Sequence, residues 1–138
     1  MFLGEMGSSQ PGKLGLSATI FIVEDDDAVR DSLRMLFESH GMTVNDYGSV
    51  ADFAARYQAA PRQCLVLDQH LPGMTGLDFL ASPQGALLRL PTILVTGRGD
   101  RFIGDRAYDL GVHAYLEKPV PEDVLLEAVI DAIDAQST

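Results

Sequence analysis

Cysteine occurs once, at Cys64, so the chain can form no internal disulfide, which fits a reducing, cytoplasmic compartment. No apolar run approaches the roughly 20 residues that span a bilayer. The amino-terminus offers Phe2 and Leu3 without the basic and apolar regions of an export signal. Positive charge is also scarce. Lys and Arg total 10 against 20 Asp and Glu, a formal charge of −10. Neutralising nucleic-acid phosphates needs clustered Lys and Arg, so the composition argues against a nucleic-acid partner as well as a membrane one. No internal repeat is visible. What remains is 138 residues, 46% of them hydrophobic, which suits one globular domain with a single core.

Met1 to Ser17 carries Gly4, Gly7, Gly12, Gly15 and Pro11 with no apolar period, and reads as a flexible leader. The domain is expected over 18–138. Ala18 to Val23 is a short β-rich apolar run that ends abruptly in acid, as a buried parallel strand would. Val29, Leu33, Leu36 and Phe37 then fall at helical spacing over Asp27 to Ser39, and Gly41 stops the helix. Thr43 to Tyr47 reads as a second strand. Ser49 caps a helix whose Val50, Phe53, Ala54 and Tyr57 share a face. Gln63 to Leu67 is a third strand, followed by turn residues from Leu71 to Gly76 and a short helix around Leu77 to Ala81 that ends near Pro83. Thr92 to Val95 and Ala114 to Leu116 are strands four and five, separated by a helix over Arg101 to Leu110 that Gly111 closes. The last helix takes Pro121 as its first position, with Glu122 and Asp123 in its first turn. Five strands alternating with five helices predict an α/β fold, a parallel sheet covered on both faces.

In such sheets, sites form beyond the carboxyl ends of the strands, near the point where strand order reverses. Here each of these ends carries a polar group. Strand one runs into Glu24, Asp25, Asp26 and Asp27; strand three ends in Asp68; strand four ends in Thr96; strand five runs into Lys118 and Pro119. Acids scattered at random would rarely fall on these positions. Within the acidic run, Glu24 and Asp25 are assigned to the site and Asp26 and Asp27 to the helix amino-terminus. A register displaced to Asp25 and Asp26 is the alternative. Cys64 reads as a small buried hydrophobe. Asp123, Glu127, Asp131 and Asp134 read as the solvated face of the last helix.

Val23-Glu-Asp-Asp26, Asp68-Gln-His-Leu-Pro72 with Met74-Thr-Gly76, Val95-Thr-Gly97 and Lys118-Pro119 together resemble the receiver domains of two-component signalling, the CheY-like family, over roughly Thr19 to Ala135. The stretch Val95 to Asp100 most resembles FixJ-type regulators. The resemblance implies a flavodoxin-like five-stranded parallel sheet of order 2-1-3-4-5, and a domain that is no conventional enzyme. Such a domain accepts a phosphoryl group from a sensor histidine kinase or phosphotransfer protein and catalyses only its own modification and its reversal. Asp68 would be the acceptor. Mg²⁺ would be held by Asp25 and Asp68, by Glu24 through water, and by the backbone carbonyl of His70. Lys118 would hold one phosphoryl oxygen and Thr96 would donate to another. The resemblance also implies a cis bond before Pro119 and a switch in which Tyr115 turns inward as Thr96 moves. The helix from Arg101, strand five and the last helix would form the signalling surface, suited to a second copy or a partner. His70 and Arg98 would rim the mouth of the site, Arg98 favouring anionic donors.

Some residues depart from the family pattern. Glu24 replaces a common aspartate, Leu71 a frequent methionine, and Gly73 a usual polar residue; none removes required chemistry. After the last helix only Gln136, Ser137 and Thr138 remain, so the chain reads either as a free-standing receiver or as the amino-terminal part of a longer regulator. A flavin carrier of similar sheet would need a phosphate loop where Glu24 to Asp27 would repel the phosphate. An aspartyl-nucleophile phosphatase would want an acid at His70. A receiver-like binding module without phosphorylation would be expected to lack one of the acids, Thr96 or Lys118, and this chain has all of them.

Overall fold

Successive side chains on a strand point to opposite faces of the sheet, and that alternation divides the strand residues into two sets. The computed structural model describes residues 18–97 and 101–136. Its strands are β1 (Thr19–Val23), β2 (Thr43–Tyr47), β3 (Gln63–Asp68), β4 (Thr92–Thr96) and β5 (Ala114–Glu117). All four pairings are parallel, and the order is β2-β1-β3-β4-β5, as expected. The reversal of direction falls between β1 and β3.

Ile20 and Ile22 of β1, Cys64 and Val66 of β3, and Ile93 and Val95 of β4 form one face. Helix α1 (Asp27–Glu38) covers it with Leu36 and Phe37, and α6 (Glu122–Gln136) with Leu125, Val129, Ala132 and Ile133. The alternate residues, Phe21, Val23, Leu65, Leu67 and Leu94, form the other face. There α2 (Val50–Arg56) contributes Val50 and Phe53, α3 (Gly76–Ala81) contributes Leu77, Phe79 and Leu80, and α5 (Arg101–Asp109) contributes Ala107. β3 and β4 are buried along their whole length, which explains their unbroken apolar reading, whereas the edge strand β2 alternates. Cys64 is 0% exposed, and burial pushes its thiol up to about 12, so it packs as a hydrophobe.

Several details differ from the sequence reading; strand one starts at Thr19 rather than Ala18, and the helices read to Ser39 and Leu110 end at Glu38 and Asp109. Pro83 does not merely end the helix before it. It opens a further short helix, α4 (Pro83–Ala86), capped by Ser82, whose hydroxyl accepts from the Gly85 N–H. This makes six helices among the described residues, because proline's missing N–H costs nothing in a first turn. The last helix starts one residue later than expected, with the Pro121 carbonyl accepting from the Leu125 N–H. Strands three, four and five each run one residue further, so Asp68, Thr96 and Glu117 are still in the sheet ladder, Asp68 opposite Val95 and Thr96 opposite Glu117. The expected leader, 1–17, lies outside the described residues.

Candidate functional site

β1 and β3 are neighbours in the sheet, so the turn after Val23 and the last residue of β3 meet at the carboxyl edge. There Glu24, Asp25 and Asp68 each bring a carboxylate oxygen to within 4.8 Å of the others. Asp26 does not join them. Its side chain accepts from the Val29 N–H at 3.0 Å and caps α1, while Asp27 pairs with Arg30. The adjacent acids therefore do different work. The backbone turns between them.

Glu24 is 4% exposed and Asp68 5%, an unusual burial for carboxylates. Lys118, from the loop after β5, lies between them, its Nζ 3.2 Å from Glu24 Oε1 and 3.1 Å from Asp68 Oδ1. Burial raises the pKa of Glu24 above its ordinary value, and the Asp68 charge acts the same way; the Asp26 N–H, at 3.1 Å from Oε2, and Lys118 oppose it. For Lys118, burial works against the charge, but Asp68 and Glu24 outweigh it and the net pKa is raised. Asp68 Oδ1 is close enough to Nζ for an ion pair but is not aligned for a hydrogen bond, and no described group hydrogen-bonds it. A buried carboxylate oxygen left in that state costs stability. One ammonium among three carboxylates leaves a net negative pocket of hard oxygen donors, which fits a hydrated divalent cation such as Mg²⁺. The pocket adjoins a hollow of about 330 Å³ lined largely by apolar groups, among them Val29, Leu33 and Val120. Low-dielectric walls of this kind strengthen the field of the nearby charges.

Thr96, fully buried at the end of β4, lies with its hydroxyl oxygen 3.0 Å from Nε2 of His70. His70, expected at the rim, is exposed, and its imidazole reaches the Thr96 hydroxyl. The Lys118–Pro119 peptide bond is cis. Tyr115 is half-buried, with its ring against Gly104, where an added Cβ would come within 3.2 Å of it. Its hydroxyl donates to Glu117 at 3.4 Å, and its backbone N–H donates to the Tyr108 hydroxyl at 3.2 Å. Arg98 lies outside the described residues.

Three residues to which the sequence reading gave no role of their own hold this edge together. Arg30 donates from Nη1 to the Glu24 carbonyl at 2.8 Å and from Nε to Asp46 at 3.2 Å, tying the acidic turn to the end of β2. Gln69, buried, donates its N–H to the Val95 carbonyl at 2.8 Å and accepts from Leu77 N–H on Oε1 at 2.9 Å. Gly76 packs so closely that a Cβ would meet the Asp68 carbonyl oxygen and Leu94 Cδ1, each at 2.8 Å. Arg30 follows Asp27 by three residues, a spacing visible in sequence, but its reach to Asp46 depends on the pairing of β1 with β2. Gln69 stands within the quoted Asp68 motif, but its bonds to Val95 and Leu77 appear only in the fold.

Residues 20–130 match the family described as response regulator receiver domain. Nodulation protein W of Bradyrhizobium diazoefficiens is 38% identical over 117 residues, which cover 85% of this chain and 52% of that protein. The transcriptional regulatory protein FixJ of Azorhizobium caulinodans is 35% identical over 113 residues, covering 82% of this chain and 54% of that protein. The chain thus spans about half the length of these curated relatives. Among solved structures, a CheY-like response regulator receiver domain protein from Methanospirillum hungatei superposes with a TM-score of 0.79 at 28% identity, covering 88% of this chain and 97% of that one. With the match running from β1 into α6, the chain belongs to the receiver domains of two-component response regulators.

Proposed function

We propose that this domain accepts a phosphoryl group on Asp68 in a Mg²⁺-dependent reaction and signals through a change at α5, β5 and α6. The observation that carries this is the buried Asp68 Oδ1, which has no hydrogen bond of its own at the centre of Glu24, Asp25 and Lys118. An Asp68 oxygen would attack the phosphorus of a phosphohistidine on a sensor kinase or phosphotransfer protein. The new P–O bond forms as the P–N bond breaks, and the leaving imidazole carries away the electron pair and takes up a proton. Glu24, Asp25, Asp68 and the His70 carbonyl would hold Mg²⁺, which, when bound, offsets charge on the carboxylates and the transferring group. Lys118 would hold one phosphoryl oxygen through its fixed positive charge. Thr96 would donate its hydroxyl proton to another. Tyr115 would carry that displacement to the outer surface, where Arg101, Arg106, Asp105, Asp109 and Glu117 offer both signs of charge for a second copy or another partner. Arg98 would draw anionic donors toward the mouth.

Intact-mass measurement after incubation with acetyl phosphate and Mg²⁺ tests the acceptor. One phosphoryl group is expected on the wild type and none on Asp68→Asn. Stoichiometric labelling of Asp68→Asn would overturn the assignment.

A further inference from the structure

The Thr96 hydroxyl, which would face a phosphoryl group on Asp68, is engaged by a side chain at the site. The Nε2 atom of His70 lies 3.0 Å from Thr96 Oγ1. The backbone that enters His70 is held at the residue before it. Gln69 is bonded to Val95 through its N–H at 2.8 Å, to Gly76 through its carbonyl at 3.0 Å, and to Leu77 through its side chain at 2.9 Å. Gly76 has no room for so much as a methyl group against the Asp68 carbonyl. With Gln69 held in this way, a turn of the Thr96 side chain would have to be matched by rotation of the imidazole to preserve the contact. A Thr96 hydroxyl that turned toward a phosphoryl group on Asp68 would stretch or break its bond to His70. The imidazole belongs to an exposed residue, so once released it would be rehydrated, and the difference is that of a modest hydrogen bond.

We propose that His70 is a positioning residue acting through Thr96: its imidazole latches the threonine hydroxyl in the unmodified arrangement and so sets how readily the switch is thrown. This rests on the phosphoacceptor reading of Asp68 and adds to it. The latch biases a two-state element by its differential contact, made in one state and lost in the other. A His70 that worked only at the mouth of the site, on water or on the donor, would act without regard to the Thr96 hydroxyl.

Binding of beryllofluoride with Mg²⁺, a phosphoryl mimic, followed by NMR of the full chain, tests the latch. His70→Ala should bind the mimic about fivefold more tightly than wild type, the effect of one ordinary hydrogen bond. His70→Gln, which places a polar atom near the reach of Nε2, should return toward wild type. In a Thr96→Val background, where the hydroxyl is gone, His70→Ala should change the affinity no further. Without any ion, His70→Ala should already shift the Thr96 methyl resonance. An equal gain in the Thr96→Val background, an unchanged affinity, or weaker binding by His70→Ala would each overturn the latch. If the wild type takes up the mimic while these variants disagree, Asp68 keeps its role and the latch alone fails. A wild type that binds no mimic would overturn the acceptor reading and the latch together.

Discussion

Replacing Asp25 and Asp26 with alanine, one at a time, should produce opposite results, because neighbouring acids were given unrelated partners. Asp26 Oδ1 accepts from the Val29 N–H at 3.0 Å and satisfies one of the donors that a helix start leaves open. Helix α1 brings Leu36 and Phe37 to the core, so weakening its first turn is felt globally. Losing such a cap costs about 1 kcal/mol, in a range of about 0.5–2. For a domain of this size that lowers the melting temperature by about 3–6 °C. Asp25 caps nothing and is exposed, but its carboxylate shares the pocket of Glu24 and Asp68. Asp25→Ala should therefore melt at or slightly above the wild-type temperature without Mg²⁺, since one of three crowded negative charges is gone. With Mg²⁺ at about 100 times its dissociation constant, the wild type should gain about 2.7 kcal/mol, Asp26→Ala should gain the same increment, and Asp25→Ala should gain little. Thermal unfolding by circular dichroism, with and without the ion, reads all of this in one series. The reverse pattern, Asp26→Ala blind to Mg²⁺ and Asp25→Ala unstable, would refute the division of labour.

Glu24→Gln should flatten the dependence of stability on pH. Glu24 has a raised folded pKa, so its ionised form costs stability above that pKa, and the cost is relieved as pH falls through it toward the ordinary 4.5; equal slopes of urea midpoint against pH in the two proteins would disprove this. Arg30→Ala should destabilise the domain by about 1–2 kcal/mol, less than a buried charged pair because the guanidinium is partly exposed. It should also weaken Mg²⁺ binding by loosening the turn that the Glu24 carbonyl anchors; calorimetric titration showing wild-type affinity would count against that role. Gly76→Ala should cost about 1–3 kcal/mol, since the Asp68 carbonyl is backbone and cannot step aside cheaply, and an unchanged melting temperature would show that the loop yields more easily than its packing implies.

The fold was legible in the sequence because its two periods are local properties. Apolar runs of four to six residues bounded by turns read as buried strands once helical spacing separated them, and a parallel sheet followed from that alternation, while its order 2-1-3-4-5 came from the resemblance to receiver domains. The short helix that Pro83 opens was missed for an equally physical reason, although the preceding helix does end before it. A proline that cannot lie inside a helix is well suited to its first turn, and only the Ser82 cap decides between an end and a beginning.

The sequence by itself determined which residue types stand at the strand ends, and therefore which chemistry the edge could support: acids after β1 and β3, a hydroxyl on β4, an ammonium after β5. Tertiary structure decided how these residues are shared out. Arg30 reaching Glu24 and Asp46, Lys118 lying between two buried carboxylates, and His70 turning onto Thr96 each join residues 6, 16, 94 and 26 positions apart among the hydrogen bonds of this edge. Such contacts depend on strand order and on the reach of side chains across neighbouring strand ends. They depend, too, on a low-dielectric pocket in which a polar atom must find whatever partner the packing brings within 3 Å or so. Periodicity does not encode those choices, because each is made only when the sheet has closed.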